Sequence, residues 1–131
     1  MMPRLIIVAV LVLFPSVSFA DLLLFSSTDT FHGCLDCSRY DGDSVCNRYG
    51  TYGSRYSSDS IWNRYGIGSR YNSESPWNRY GTGLKIVDRQ GRFYGYLKIG
   101  IGGATEYSQL LRRVHENLDG ELSEIRDVFC R

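Results

Sequence analysis

Residues 38–83 contain almost no aliphatic side chains, and this limits what the chain can fold into. The aliphatic residues of this stretch are Val45, Ile61 and Ile67, but it holds seven tyrosines and two tryptophans. Neither an amphipathic helix nor an alternating strand matches this pattern. The stretch must therefore build its part of a core from aromatic side chains and local turns.

The stretch consists of three tandem copies, SRYDGDSVCNRYGTYG, SRYSSDSIWNRYGIG and SRYNSESPWNRYGTG. They start at Ser38, Ser54 and Ser69, so the period is 16 and then 15 residues. In the third copy Ser75 precedes Pro76, an order typical of a helix N-cap and first helical residue. Gly81 follows five residues later, where a left-handed residue would end a helical turn. We therefore predict one short helical or 3₁₀ turn per copy, joined by an extended Ser-Arg-Tyr segment.

Large aromatic residues recur at equivalent positions of the copies and provide a core without leucine. One set is Cys46, Trp62 and Trp77, and the other is Tyr49, Tyr65 and Tyr80. We expect equivalent aromatics of neighbouring copies to stack, with both tryptophans in the core. The six arginines at 39, 48, 55, 64, 70 and 79 can lie across aromatic faces. Tyr56 and Tyr71 are better candidates for the surface.

The first twenty residues have the features of a secretory signal peptide. A charged start is followed by the apolar run 5–14 and by Ser18-Phe19-Ala20 at the expected cleavage site. The alternative is a retained anchor helix, although the run is short for a membrane span. We expect a single domain over 21–131, secreted or periplasmic, with no membrane span after removal of the signal.

The net charge of that domain argues against nucleic acid as a partner. The chain has 15 basic and 14 acidic residues, and Arg4 lies in the predicted signal peptide. Residues 21–131 therefore carry 14 of each sign. A balanced charge gives no electrostatic reason to bind nucleic acid or an anionic membrane.

Four cysteines, Cys34, Cys37, Cys46 and Cys130, predict two disulfides in an exported protein. Three pairings are open. We favour Cys37–Cys46, a short loop in the first copy, together with Cys34–Cys130, which would hold the C-terminus against the start of the domain.

The residues around the repeats predict an α+β fold with a small antiparallel sheet. Strands are expected near 29–35, 84–88 and 92–99, the last two as a β-hairpin with its turn at 88–91. The run 22–25 is either a strand or part of the export signal. Phe31–Leu35 and Phe93–Leu97 share the form F-x-G-x-L, so these two strands could lie side by side, each with a glycine bulge. Helices are expected over 105–129, beginning at Thr105 and interrupted near Gly120.

The run YGSRYSSDSIWNRYG, the CLDC before it and the VDRQGRFYGYL after it resemble a group of small exported bacterial proteins. These proteins carry tandem YGSxYSxxSxxNxYG units followed by a VDxxGxFxGxL hairpin. The resemblance covers roughly residues 31–97 and implies no established activity, substrate or catalytic residue. The second copy departs from the pattern, because Gly66-Ile67-Gly68 replaces a fuller four-residue segment. The helical C-terminus is also longer than the resemblance implies.

No motif predicts catalysis, a cofactor or a metal site. Cys34-Leu35-Asp36-Cys37 has thiol-exchange spacing, but no βαβ pattern surrounds it, which favours a structural disulfide. Zinc is disfavoured by the cysteine spacing and by an oxidising compartment. Asp41-Gly42-Asp43-Ser44 begins like a calcium loop but lacks the later ligands. His32 and His115 have no predicted catalytic neighbour, so we interpret them as structural or surface residues.

The sequence thus favours a non-enzymatic exported protein with a binding or structural role. The candidate binding residues are Tyr40, Tyr56, Tyr71, Arg55 and Arg70, and the expected partner is an extracellular or envelope protein or a polysaccharide. One alternative is a thiol–disulfide exchange or other small secreted enzyme using Cys34 and Cys37. Another is an inhibitor or accessory subunit of an envelope complex.

Overall fold

The computed structural model of the chain describes residues 21–131, so the predicted signal peptide lies outside the described residues. The elements are β1 Leu23–Phe25, β2 Phe31–Cys34, β3 Leu84–Val87, β4 Phe93–Leu97, α1 Glu106–Asn117 and α2 Leu122–Phe129. The predicted α+β class, with its antiparallel sheet, turn-rich repeat block and helical C-terminus, is confirmed. Within residues 21–131, no helix has the length and apolar character that crossing a membrane requires.

The sheet has the order β2-β1-β3-β4, with every neighbouring pair antiparallel. The prediction that the two F-x-G-x-L strands could lie side by side is therefore wrong, because β2 and β4 form the opposite edges. The strand between β2 and β3 is β1, the apolar run whose role the sequence left open. Its Leu24 is completely buried and pairs with Ile86 of β3.

The predicted glycine bulges occur in both edge strands. Gly33 and Gly95 have φ values of 110° and 116°, and the strand pairing shifts register beside each of them. A Cβ at Gly33 would lie 2.9 Å from a methyl carbon of Val45, and one at Gly95 would lie 2.8 Å from a methyl carbon of Thr105. Both glycines therefore let another part of the chain approach the sheet edge closely.

The hairpin turn and the start of α1 have the predicted local chemistry. The Asp88 carboxylate accepts hydrogen bonds from the backbone N–H groups of Gln90 and Arg92, at 2.9 and 2.8 Å. The Thr105 hydroxyl caps α1 by accepting from the N–H of Ser108 at 3.1 Å. The hydroxyl of Ser108 in turn donates to the carbonyl of Tyr96, which fastens α1 to β4.

The core lies between the sheet, the two helices and the inner side of the repeats. The helices contribute the buried side chains of Leu111, Val114 and Ile125, whereas Leu110 of α1 is exposed. The buried side chains that the repeats contribute include Val45, Ile61, Trp62, Ile67 and Trp77. All five belong to the same hydrophobic cluster as the sheet and helix residues.

The two disulfides join Cys34 to Cys37 and Cys46 to Cys130. Two disulfides were predicted, but the favoured pairing was wrong. Cys46 stands where the later copies have tryptophan, and the end of α2 packs beside that column, with Phe129 6.0 Å from the ring of Trp62. The next residue of the chain after Phe129 is Cys130, so it meets Cys46 rather than Cys34.

Candidate functional site

The repeat block is a succession of β-turns, most of which begin three residues after the previous one. Fourteen backbone hydrogen bonds of 2.9–3.4 Å run from the N–H of one residue to the carbonyl three residues earlier, from Ser38 to Gly81. The first and second copies thus each contain five consecutive turns, and the third copy contains four. The predicted single helical turn and extended Ser-Arg-Tyr segment are both wrong, because every copy turns continuously.

Side chains at the turn corners explain why the sequence folds this way. In each copy four polar residues, three positions apart, accept a hydrogen bond from the backbone N–H two residues later, at 2.9–3.3 Å. Such contacts mimic a backbone turn and compete with helix and strand. The residues are Ser38, Asp41, Ser44 and Asn47; Ser54, Ser57, Ser60 and Asn63; and Ser69, Asn72, Ser75 and Asn78.

The first copy places its sixteenth residue in the last turn. The carbonyl of Gly50 accepts from both Gly53 and Ser54, at 3.4 and 3.1 Å, so one extra residue fits before the next copy begins. Tyr52, in this longer turn, packs edge-on against Phe31 of β2 with ring centroids 4.8 Å apart. The extra residue therefore gives the first copy an additional contact with the sheet.

The third turn of each copy faces the core and links the copies to one another. The indole N–H of Trp62 donates to the carbonyl of Val45, and that of Trp77 donates to the carbonyl of Ile61, both at 2.6 Å. The two indole rings lie 5.8 Å apart. Backbone bonds continue the series at both ends, from Val45 to Cys34 and from Ile99 to Pro76. The tryptophans are buried, as predicted.

The second turn of each copy contacts the β1–β2 hairpin through its acidic residue. The Asp43 carbonyl accepts from the N–H of Cys34 at 2.7 Å, and the Asp59 carbonyl lies 3.2 Å from Nδ1 of His32. The Glu74 carboxylate accepts from the N–H of Ser27 at 2.7 Å. Hydrogen bonds from Ser27 lower the pKa of Glu74 below its ordinary value. The block therefore uses its acidic positions to dock on the sheet.

The first and fourth turns of each copy point into solvent, and all six carry Arg-Tyr at the tip. Their tyrosines are between 78% and 99% exposed. They are Tyr40, Tyr49, Tyr56, Tyr65, Tyr71 and Tyr80. The expectation that Tyr49, Tyr65 and Tyr80 stack in the core is wrong, because a residue at a turn tip projects away from the chain.

We call the turns that begin with serine the SRY row, and those that begin with asparagine the NRY row. The NRY row runs beside α2, where Arg48 pairs with Asp127 at 2.6 Å and Arg64 pairs with Glu121 at 3.8 Å. In the SRY row, the guanidinium of Arg55 lies 4.9 Å from the ring centroid of Tyr56, and that of Arg70 lies 5.0 Å from Tyr71. Each guanidinium also donates to the phenol oxygen of its tyrosine.

The cations of the SRY row lack acidic partners within the described part of the chain. None of the ion pairs within residues 21–131 includes Arg39, Arg55 or Arg70. The rows also border two grooves. One, of about 880 Å³, is lined by Tyr65, Tyr71 and Tyr80 together with the α1–α2 connection. The other, of about 600 Å³, is lined by Tyr40 and Tyr49 of the first copy.

The cysteine pair at the end of β2 offers little reactive surface. Cys34 is completely buried and bonded to Cys37, and its sulfur lies 3.6 Å from a carboxylate oxygen of Asp36. Asp21 joins this group, with ligand atoms all within 4.8 Å. Both sulfurs are committed to the disulfide, which leaves two carboxylates as the atoms able to hold a cation there.

The two histidines are packed against the repeats. His32 is buried, with its Nδ1 beside the backbone carbonyl of Asp59. His115 of α1 stacks on Trp77 with ring centroids 5.8 Å apart. Burial, with a smaller contribution from Arg79, lowers the pKa of His115. The residues of the calcium-like segment take part in turn hydrogen bonds, since the Asp41 carboxylate accepts from the N–H of Asp43.

The candidate binding residues predicted from the sequence all lie in the SRY row; they are Tyr40, Tyr56, Tyr71, Arg55 and Arg70. The exposed NRY row was not predicted, although the signal was present: in every copy an Arg-Tyr pair follows the first serine and again the asparagine of the fourth turn. Comparison of the chain with protein-family models, curated proteins and solved structures found no match.

Proposed function

We propose that the protein is an exported, non-enzymatic binding protein whose SRY and NRY rows contact an extracellular or envelope partner. The observation that carries this proposal is the exposure of six Arg-Tyr pairs, one at each tip of a repeated turn. Tyrosine and arginine are the residues that most often dominate binding energies at interfaces. Six tyrosines held in solvent contribute little to the core, so their recurrence favours a role in recognition.

The scaffold behind the rows supports this role because it fixes the turns before a partner arrives. Each tip is closed by a backbone bond and a side-chain bond, and the copies are joined through buried indoles. A partner then loses less binding energy to ordering the loops. Exposed turns without a binding role would not need two hydrogen bonds at every tip.

The thiol-exchange alternative has less support. Exchange needs an accessible thiolate, and the sulfur of the first cysteine of this pair is buried beside the Asp36 carboxylate. A neighbouring negative charge disfavours a thiolate. The geometry therefore fits a structural staple at the end of β2 better than a redox centre.

The proposal is tested by capture from cell-envelope extract with the exported, disulfide-bonded protein as bait. A variant with Tyr40, Tyr56 and Tyr71 changed to serine should lose most of the captured protein or polysaccharide. A matched control, Tyr96→Ser on β4, should retain it. Equal capture by both variants, or no specific capture by the unchanged protein, would contradict the proposal. Replacement of Cys34 and Cys37 by serine should leave capture intact, whereas its loss would favour the thiol-exchange alternative.

A further inference from the structure

We infer that the SRY row binds a carboxylate-bearing polysaccharide, one whose sugars are uronic acids. This inference rests on the proposed function and specifies its partner. Its first support is the free charge of the row. Two of the three NRY arginines, Arg48 and Arg64, pair with Asp127 and Glu121. Within residues 21–131, no ion pair includes any of the three SRY arginines. An external anion is therefore expected at the SRY row.

The geometry of the Arg55–Tyr56 and Arg70–Tyr71 pairs fits a carboxylate attached to a sugar ring. A guanidinium has five N–H donors in a planar fork, and the bond from Arg55 to the Tyr56 hydroxyl engages its Nη2 group only. Because Arg70 and Tyr71 repeat the arrangement at 2.8 Å, two copies present the same half-satisfied fork. Such a fork can bind a carboxylate through two parallel hydrogen bonds. The exposed tyrosine ring beside it provides a flat apolar face for the sugar.

The repetition of the pairs favours a polymer over a small anion. Equivalent indoles of the second and third copies are 5.8 Å apart, and the copies are held in register by Trp-to-carbonyl bonds. The backbone and side-chain bonds that close each SRY turn recur in all three copies, so the row repeats one Arg-Tyr tip per copy. A linear polyuronate carries one carboxylate per sugar along its length. It can therefore occupy several pairs at once, and the linked contacts raise its affinity above that of a single sugar.

Charge separation within the block points the same way. In each copy an arginine stands at the tip of the first turn. The acidic residue of the second turn contacts the β1–β2 hairpin, through the backbone carbonyl in Asp43 and Asp59 and through the carboxylate in Glu74. Each SRY tip carries an arginine although the domain as a whole is neutral, and Asp41 of the first copy is the only acidic residue at a corner of these turns. Single-stranded nucleic acid also uses arginine and stacked aromatics, but it is usually bound by a strongly basic groove. The neutral domain has no such strongly basic groove, which favours the polyuronate over single-stranded nucleic acid.

The test uses the exported, disulfide-bonded protein and polygalacturonate, with its methyl ester as the uncharged matched ligand. Binding is measured by titration calorimetry at low and physiological salt. The unchanged protein should bind the acid form at least tenfold more tightly than the ester, with affinity falling as salt rises. The triple variant R39Q/R55Q/R70Q should lose at least tenfold in affinity. The charge-matched variant R89Q/R92Q/R113Q, which changes three exposed arginines outside the repeats, should lose less than threefold. Far-ultraviolet circular dichroism and the urea midpoint confirm that both variants fold.

Three results would overturn the inference: equal binding of the acid and the ester, equal losses in the two triple variants, or tighter binding of poly(dT) than of polygalacturonate. Failure of the inference can be told from failure of the proposed function. If polygalacturonate does not bind but Tyr-dependent capture from envelope extract persists, the inference falls and the binding role stands. If capture is also absent, both fall.

Discussion

The hydrogen bonds from the buried indoles to the preceding copy can be tested by Trp62→Phe. The phenyl ring cannot donate to the Val45 carbonyl, which accepts the indole N–H at 2.6 Å in the core. Leaving a buried acceptor unpaired costs about 1–3 kcal/mol. The smaller ring also buries less apolar surface, which adds about 1 kcal/mol. We therefore expect a loss of about 2–4 kcal/mol in the free energy of unfolding.

The assay is urea unfolding with the disulfides intact, followed by far-ultraviolet circular dichroism, because the tryptophan content changes. With a typical urea dependence, the midpoint should fall by about 1–3 M. Trp77→Phe should show a similar loss, since its indole donates to Ile61 with the same 2.6 Å length. Tyr65→Phe, at an exposed turn tip, should change the free energy by less than about 0.5 kcal/mol and serves as the control.

A benzothienylalanine at position 62 separates the two contributions, because it keeps the ring size and replaces the N–H by sulfur. It should retain a loss of about 1–3 kcal/mol from the unpaired carbonyl alone. If Trp62→Phe and the Tyr65→Phe control have equal effects, the indole-to-carbonyl bonds do not hold the copies together. If the sulfur analogue is as stable as the natural protein, ring packing alone explains the Trp62→Phe loss.

Three further predictions concern stability. Ser60→Ala should cost about 1–3 kcal/mol because the buried N–H of Trp62 loses its acceptor. Ser54→Ala should cost only about 0.5–1 kcal/mol because water can replace the hydroxyl at this exposed turn. Equal losses in urea unfolding would contradict a stabilising role of the buried serine-to-backbone bond. Serine replacement of both cysteines of the Cys46 bridge, separated by 84 residues, should cost about 4–5 kcal/mol, against about 1–2 for the three-residue Cys34 bridge. A ranking in the opposite order would be inconsistent with this pairing. Burial lowers the pKa of His115 below 6.5, so the unfolded chain binds more protons, and the free energy of unfolding should decrease as pH falls below about 6.5. A His115→Gln variant should show a shallower decrease between pH 7.5 and 5. An unchanged pH dependence in this variant would refute the assignment to His115.

Local chemistry was largely readable from the sequence. The hairpin at 84–99, the Thr105 cap and the glycine bulges follow from residues close together in the chain, and each is present. The burial of Trp62 and Trp77 also followed, because a block with three aliphatic residues has few other apolar groups to bury. The three-residue spacing of serine, asparagine and aspartate was visible too, but its regularity was interpreted as a single cap per copy.

Non-local relationships were not readable in the same way. Tyr49 and Trp62 are both aromatic residues at repeated positions, yet one is almost fully exposed and the other buried. The difference depends on which turn faces the sheet and helices. Ion pairing distinguishes Arg48 and Arg64 from the SRY arginines for the same reason, since Arg48 pairs with Asp127, 79 residues later in the chain.

The sequence by itself determined a chain of turns with polar corners, a hairpin and two short helices, because these form through contacts between residues two to four positions apart. Only the tertiary structure decided the strand order, the pairing of Cys46 with Cys130 and the separation of the Arg-Tyr turns into two rows. Those features depend on how the three copies pack against the β1–β2 hairpin and α2. The residues involved are far apart in the chain, and local pattern carries no information about which of them meet.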